Sequence, residues 1–254
     1  AQRALKAAKR VGGNQLGSYS PAIGTSDGDP AALGGTHAKA LTRSLGETAF
    51  RFVYQPIVKV GDRSIFGYEA LCRPKDPAFR SVGELIETAV RTGRIRDLGR
   101  TLRKIALEPI ATLPESCLLF LNIHPQDLNE DAILAVEPHL GPWANRLVLE
   151  VTETEAIDDP ARVRERIRSL RANGFRVALD DLGSAYSSLN LLAQLEPDFV
   201  KLDMELVRGI SREARGARLI QHLLEFCRGE NFVTIAEVIE TEAEVRVVSD
   251  LGVD

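Results

Sequence analysis

Cysteine is scarce in this chain, and the little there is does not pair by sequence. Cys72, Cys117 and Cys227 stand far apart and form no CxxC, so neither a disulfide framework nor a thiolate zinc site is expected, and isolated thiols suit a reducing compartment. Histidine is nearly as rare: His37, His124, His139 and His222 lack zinc-ligand spacing. No apolar run approaches the length that spans a bilayer. A strong charge of one sign is missing too. The 32 basic and 36 acidic residues leave a net charge of −4, which gives no electrostatic case for duplex nucleic acid or an anionic membrane surface. Together these absences point to a cytoplasmic domain, with a membrane tether elsewhere in a longer parent left open.

What is present divides by composition into three zones. Residues 1–19 begin as an Ala/Lys/Arg helix that stops at Gly12-Gly13-Asn14, a C-cap signal. Residues 20–37 are rich in Ser, Gly, Asp and Pro without periodicity, and read as a linker. Residues 38–254 alternate. Strand-like runs occur at 50–60, 64–71, 117–123, 146–153, 175–181, 198–203 and 231–239, with amphipathic helical stretches between most of them. Repeated βα units predict an α/β fold with a parallel sheet, and seven strands over this length favour a TIM-like (β/α) barrel over an open doubly wound sheet.

Single polar residues close the apolar strands. Glu69 ends one, Asn122 the next, then Glu150, Asp180 with Asp181, Lys201 and Glu237. One such residue would be a solvated strand end. Six strands in succession instead describe the mouth of a barrel, where catalytic groups gather. Five carboxylates opposed by one lysine would raise one another's pKa values or need a counter-charge. A divalent cation held by carboxylates and the Asn122 amide oxygen answers that need, and an all-oxygen donor set favours Mg²⁺ or Mn²⁺. Adjacent Asp180 and Asp181 could serve two ions, an arrangement suited to in-line hydrolysis of a phosphodiester.

The segments "YQPIV", "GYEALCRP", "FLNIH", "LEVTE", "VALDDLGSAYSSL", "DFVKLD" and "IAEVIET" follow the order and spacing of the EAL-domain phosphodiesterases, and residues 38–254 resemble that family. The resemblance implies a modified TIM barrel that hydrolyses cyclic di-GMP to linear pGpG with two Mg²⁺ or Mn²⁺ ions. It implies that Glu69, Asn122, Glu150 and Asp180 hold the first metal. Asp181 and Glu237 hold the second, with Glu237 also a proposed base. Lys201 holds the attacking water, supported by Asp203. Gln55 and Arg73 match ligand-binding positions, Glu153 the brace of the loop after Asp181, and Glu240 the second acid of an AEGVE motif. It further implies a homodimer through this domain. Residues 1–19 resemble the last helix and strand of a GGDEF-type domain, which predicts such a domain upstream in the same chain. At the other end the resemblance predicts an eighth strand beyond Asp254.

The sequence departs from the family pattern at several places. Leu182, Ser184 and Ala185 replace Phe, Thr and Gly in the loop after the paired aspartates; His124 replaces Ser, Val238 replaces Gly, and Pro74 replaces Trp. No ligand is lost, so the departures bear on rate more than on chemistry. An enzyme is the first reading. A catalytically weak domain that binds cyclic di-GMP and signals to a neighbour is the second.

Overall fold

The computed structural model describes residues 30–45, 49–124, 126, 137–152, 160–182, 188–203 and 214–254. Seven strands run in sheet order β1 to β7: β1 (Phe50–Val58), β2 (Ile65–Pro74), β3 (Leu118–Asn122), β4 (Leu147–Thr152), β5 (Arg176–Leu182), β6 (Phe199–Leu202) and β7 (Val233–Ala236). From β2 to β7 each strand pairs in parallel with the next. This is the α/β, TIM-barrel type of fold that the alternation predicts. Among the described residues no helix is long and apolar enough to cross a membrane.

The chain forms two compact units. Among the described residues, one comprises those from 30 to 53 and from 71 to 107, the other those from 54 to 70 and from 108 to 254. In the first, helices α1 (Pro30–Ser44), α2 (Val82–Arg91) and α3 (Ile95–Ala106) share a core of Leu41, Phe50, Phe79, Leu85 and Leu98. Ser81 caps α2 by accepting from the Glu84 amide at 3.1 Å, as a serine before an apolar-periodic run should. Helix α1 begins at Pro30, inside the stretch read as linker. Its Gly34-Gly35 pair depresses helix propensity, yet tertiary packing prevails: Leu41 is fully buried and the His37 ring stacks on Phe79 at 5.7 Å.

Among the described residues the second unit holds four further α-helices of a turn or more, α4 (Pro160–Ala172), α5 (Ser188–Leu195), α6 (Ala214–Gly229) and α7 (Glu242–Leu251), with a 3-10 helix at Pro138–Arg146. Its strands carry two apolar faces, as expected of a sheet covered on both sides. Leu119, Leu121, Leu147, Leu149, Val177, Leu179, Val200 and Leu202 are buried on one face. Leu118, Phe120, Val148, Ala178 and Phe199 cluster on the other. That second face leads to the site.

Candidate metal and active site

Side chains two residues apart on a strand share a face. Phe120 and Asn122, Val148 and Glu150, Ala178 and Asp180, Phe199 and Lys201, and Ile235 and Glu237 are all such pairs. The apolar member of each lies in or against one cluster, so the polar members form the next layer towards the C-terminal strand ends. On β2 the pair is Gly67 and Glu69. A Cβ at Gly67 would lie 2.6 Å from the Leu118 carbonyl oxygen and 3.2 Å from the Phe120 ring, so glycine there admits Phe120 beneath the polar layer. Sequence reading overlooked Gly67; an isolated glycine within a strand was the available signal.

Asp180 and Asp181 pose a geometric problem, since successive strand residues point to opposite faces. The ladder resolves it. Leu179 pairs with Val200 and Leu182 with Leu202, so β5 takes three steps where β6 takes two. The extra residue is a β-bulge, and Asp181 sits in it with φ 58°. Its amide donates to Asp180 Oδ1 at 3.0 Å. Carboxylate oxygens of Asp180, Asp181 and Glu237 consequently lie within 4.8 Å of one another.

Lys201 lies at the centre of the polar layer, with 1% of its surface exposed. Its Nζ is 2.8 Å from Glu150 Oε1, 2.8 Å from Glu237 Oε1, 3.1 Å from Asp180 Oδ1 and 3.3 Å from Glu69 Oε2. The Asn122 amide joins two of these acids, donating to Glu69 at 3.2 Å and Glu150 at 3.0 Å. An ammonium has three protons for these four carboxylates. Glu150 Oε1 has the ion pair but lacks hydrogen-bond geometry to any partner among the described residues. Acid is in excess, and the protonation equilibria register it. Burial pushes Glu150 well above the usual carboxylate range, opposed by Lys201 and reinforced by Glu69 and Asp180. Burial and then Asp180 raise Asp181 to about 6. Glu237 rises to about 7, first through burial and against the pull of Lys201. Burial alone would lower Lys201, but the surrounding acids hold it well above its ordinary value. It stays charged.

Of the other residues singled out in the sequence, Asp203 adjoins this layer: its amide reaches the Leu182 carbonyl at 3.4 Å, and its charge contributes to the rise of Asp181. Gln55 and Glu240 are exposed. Arg73 belongs to the first unit, where its guanidinium donates to the Cys72 carbonyl at 2.9 Å. Glu153, Ser184 and Ala185 lie outside the described residues. Val238 adopts φ 54°, so the residue that replaces the family's glycine occupies a conformation in which glycine is at ease.

The donor set fits a hard divalent cation. It is all oxygen, partly unsatisfied and over-charged, and oxygens up to 4.8 Å apart can lie on opposite sides of an ion bound at about 2.1–2.4 Å. A hollow of about 580 Å³ opens at the opposite end of the strands, beside Phe66, Arg171, Asp198 and Phe199. Of its three carboxylates, Asp198 accepts from Arg171 at 2.8 and 3.1 Å and from the Val177 amide at 2.8 Å, and Glu196 accepts from Arg164 at 2.6 Å, with Glu230 the third. The polar layer is the candidate site.

A parallel α/β sheet whose strand ends converge on an acidic, lysine-centred cluster defines the class, and the comparisons name the family. Residues 38–254 match the EAL domain, and the chain belongs to that family. It is 31% identical over 214 residues to the probable cyclic di-GMP phosphodiesterase PdeI of Escherichia coli K12, a match covering 79% of this chain and 27% of that protein. Among solved structures, the Xanthomonas citri FimX EAL domain in complex with c-di-GMP superposes with a TM-score of 0.77 at 19% identity, covering 88% of this chain and 91% of that one. The manganese and cyclic di-GMP complex of Klebsiella pneumoniae BlrP1 gives 0.70 at 26% identity, covering 87% and 61%. The chain spans between 26% and 43% of the length of PdeI and three other curated relatives that it matches.

Proposed function

We propose that this domain is a metal-dependent phosphodiesterase that opens cyclic di-GMP to linear pGpG. The observation that carries the reading is the buried lysine among more carboxylates than it can satisfy, all of them oxygen donors on one layer. Glu69, Asn122, Glu150 and Asp180 would hold one Mg²⁺ or Mn²⁺, and Asp181 with Glu237 a second. Bound there, the cations supply charge stabilisation for a phosphodiester and lower the pKa of water. The protein's own residues do the positioning. Asp180 and Asp181 face the same way because of the bulge, and Lys201 offers a proton donor to the oxygen of the attacking water. Water adds to phosphorus through its oxygen and gives up one proton, one P–O bond to a ribose oxygen breaks, and that oxygen takes up a proton and leaves as a hydroxyl. The rigid apolar layer beneath holds these groups in register.

The test is resolution of nucleotide products after incubation with cyclic di-GMP. Formation of pGpG with Mg²⁺ or Mn²⁺, abolished by chelator and restored by added cation, supports the proposal. Nucleotide binding without pGpG would make the domain a receptor instead.

A further inference from the structure

Two residues in or beside the cluster carry left-handed backbone although neither is glycine: Asp181 at φ 58° and Val238 at φ 54°. The first has its reason in the bulge, and aspartate tolerates that region. The second does not. A β-branched residue there is an outlier, because its Cβ substituents crowd the adjoining backbone. Such a conformation persists only where the surroundings over-determine it, and both sides of Val238 are fixed. Before it, the Glu237 amide donates to the Leu202 carbonyl at 3.1 Å, and the Glu237 carboxylate meets Lys201 at 2.8 Å. After it, the Glu240 and Thr241 amides donate to Glu244 Oε2 at 2.8 and 3.0 Å, while Thr241 Oγ1 accepts from the Glu244 amide at 3.2 Å. The strained residue joins the last carboxylate of the cluster to the capping box of α7.

We propose that Val238 is a positioning residue that sets how fully Glu237 occupies the cluster. The left-handed turn at 238 lets the chain leave for α7 while the Glu237 amide stays on Leu202 and its carboxylate stays beside Asp180 and Asp181. Valine makes that turn unfavourable, so the restraints on its two sides compete with a relaxed state in which the backbone at 238 is extended and the Glu237 amide leaves Leu202, withdrawing its carboxylate. A cation that needs Glu237 then binds with an affinity reduced by the fraction of chain in the turned state. The inference rests on the cation-binding part of the proposed function and is independent of which ester is cleaved.

The experiment compares Val238→Gly, Val238→Asn and Val238→Ala with the wild-type chain. Mn²⁺ binding is read by calorimetry, thermal unfolding in chelator, and cyclic di-GMP turnover across a Mn²⁺ titration. Gly and Asn, the residues most at ease with positive φ, should tighten Mn²⁺ binding by about 3- to 10-fold. They should also raise the metal-free melting temperature by about 2–4 °C. Ala, which removes only the β-branching, should fall between. Turnover should rise most at low Mn²⁺ and converge with wild type at saturation, a split that a purely structural effect would not produce. Mn²⁺ affinity equal to or weaker than wild type in both Gly and Asn variants would overturn the inference, as would a lower melting temperature in both. Affinity flat across the series with pGpG still formed sinks this inference alone. Absence of Mn²⁺ binding in every protein sinks it together with the metal reading.

Discussion

The two ends of strands β2 to β7 face opposite physical problems with residues only two positions apart. At one end Phe66, Phe120 and Phe199 meet with ring centroids 5.3–6.4 Å apart, around a cluster that includes Val148 and Ala178. Every contact there favours the folded state, as edge-to-face and tilted aromatic packing does. At the other end Glu69, Glu150, Asp180 and Glu237 crowd one buried ammonium, and burial disfavours each charge. The apolar layer holds the strands; the polar layer is held by them. The difference teaches where stability and chemistry are separately written along one strand.

Removing Lys201 should separate the two ends most sharply. Lys201→Ala should cut pGpG formation by orders of magnitude, since a contact to the attacking water matters chiefly in the transition state. It should also destabilise the metal-free chain by about 3–5 kcal/mol, the usual cost of breaking a buried ion pair. Saturating Mn²⁺ should then restore more stability to the variant than it adds to wild type. Urea unfolding with and without Mn²⁺ measures this, and equal metal effects on both proteins would mean that Lys201 is not the cluster's counter-ion.

Phe120→Ala strikes the apolar end instead. A fully buried phenylalanine at the centre of the aromatic cluster should cost about 3–5 kcal/mol, with Mn²⁺ affinity retained within a few-fold. A parallel collapse of Mn²⁺ affinity, read by calorimetry below the unfolding transition, would show that the layers are one unit. Gly67→Ala is a milder form of the same test. Its new Cβ would press on the Leu118 carbonyl at 2.6 Å, and such overpacking costs about 1–3 kcal/mol. An unchanged melting temperature would show that β2 and β3 part without effort.

Much of this contrast is legible in the sequence, and what is not follows from pairing. Strands β1, β3, β4, β6 and β7 each lie within an apolar run recognisable alone, while β2 continues to Pro74, past the 64–71 run, and β5 to Leu182, one residue past 175–181; the polar residues of the site interrupt these runs. The last run, 231–239, was read too long: the ladder ends where the Glu237 amide meets Leu202, and Val238 turns the chain at once. Helix α7 went unread although Thr241 and Glu244 spell its capping box. The bulge at Asp181 could not be read from β5, because a bulge is a property of two strands in register. For the same reason the role of Gly67 is visible only once Phe120 and the Leu118 carbonyl are placed against it.

The smallest expected effect separates the ends by pH. Asp181 and Glu237 are raised to about 6 and about 7 from ordinary values of 3.8 and 4.5, and Glu150 is raised as well. A carboxyl raised on folding holds its proton more tightly in the folded chain than in the unfolded one. Its contribution to stability is therefore fully present below the ordinary value and lost as pH rises through the folded value. The metal-free chain should melt at a higher temperature near about pH 5 than near about pH 7.5, the window set by these two residues. Glu237→Gln, whose amide cannot ionise, should flatten part of that slope. Saturating Mn²⁺ should reverse it, because a bound cation requires deprotonated oxygens. Thermal unfolding of both proteins in chelator across this range is the measurement, with Phe120→Ala as the comparison from the apolar end. That variant should be displaced to lower temperature at every pH and keep the wild-type slope, having altered no ionisable group. A metal-free wild-type curve that is flat or rising relative to Glu237→Gln would show that Asp181 and Glu237 stay ionised in the folded chain, their charge compensated by Lys201, and that the contrast between the two ends is one of shape rather than of uncompensated charge.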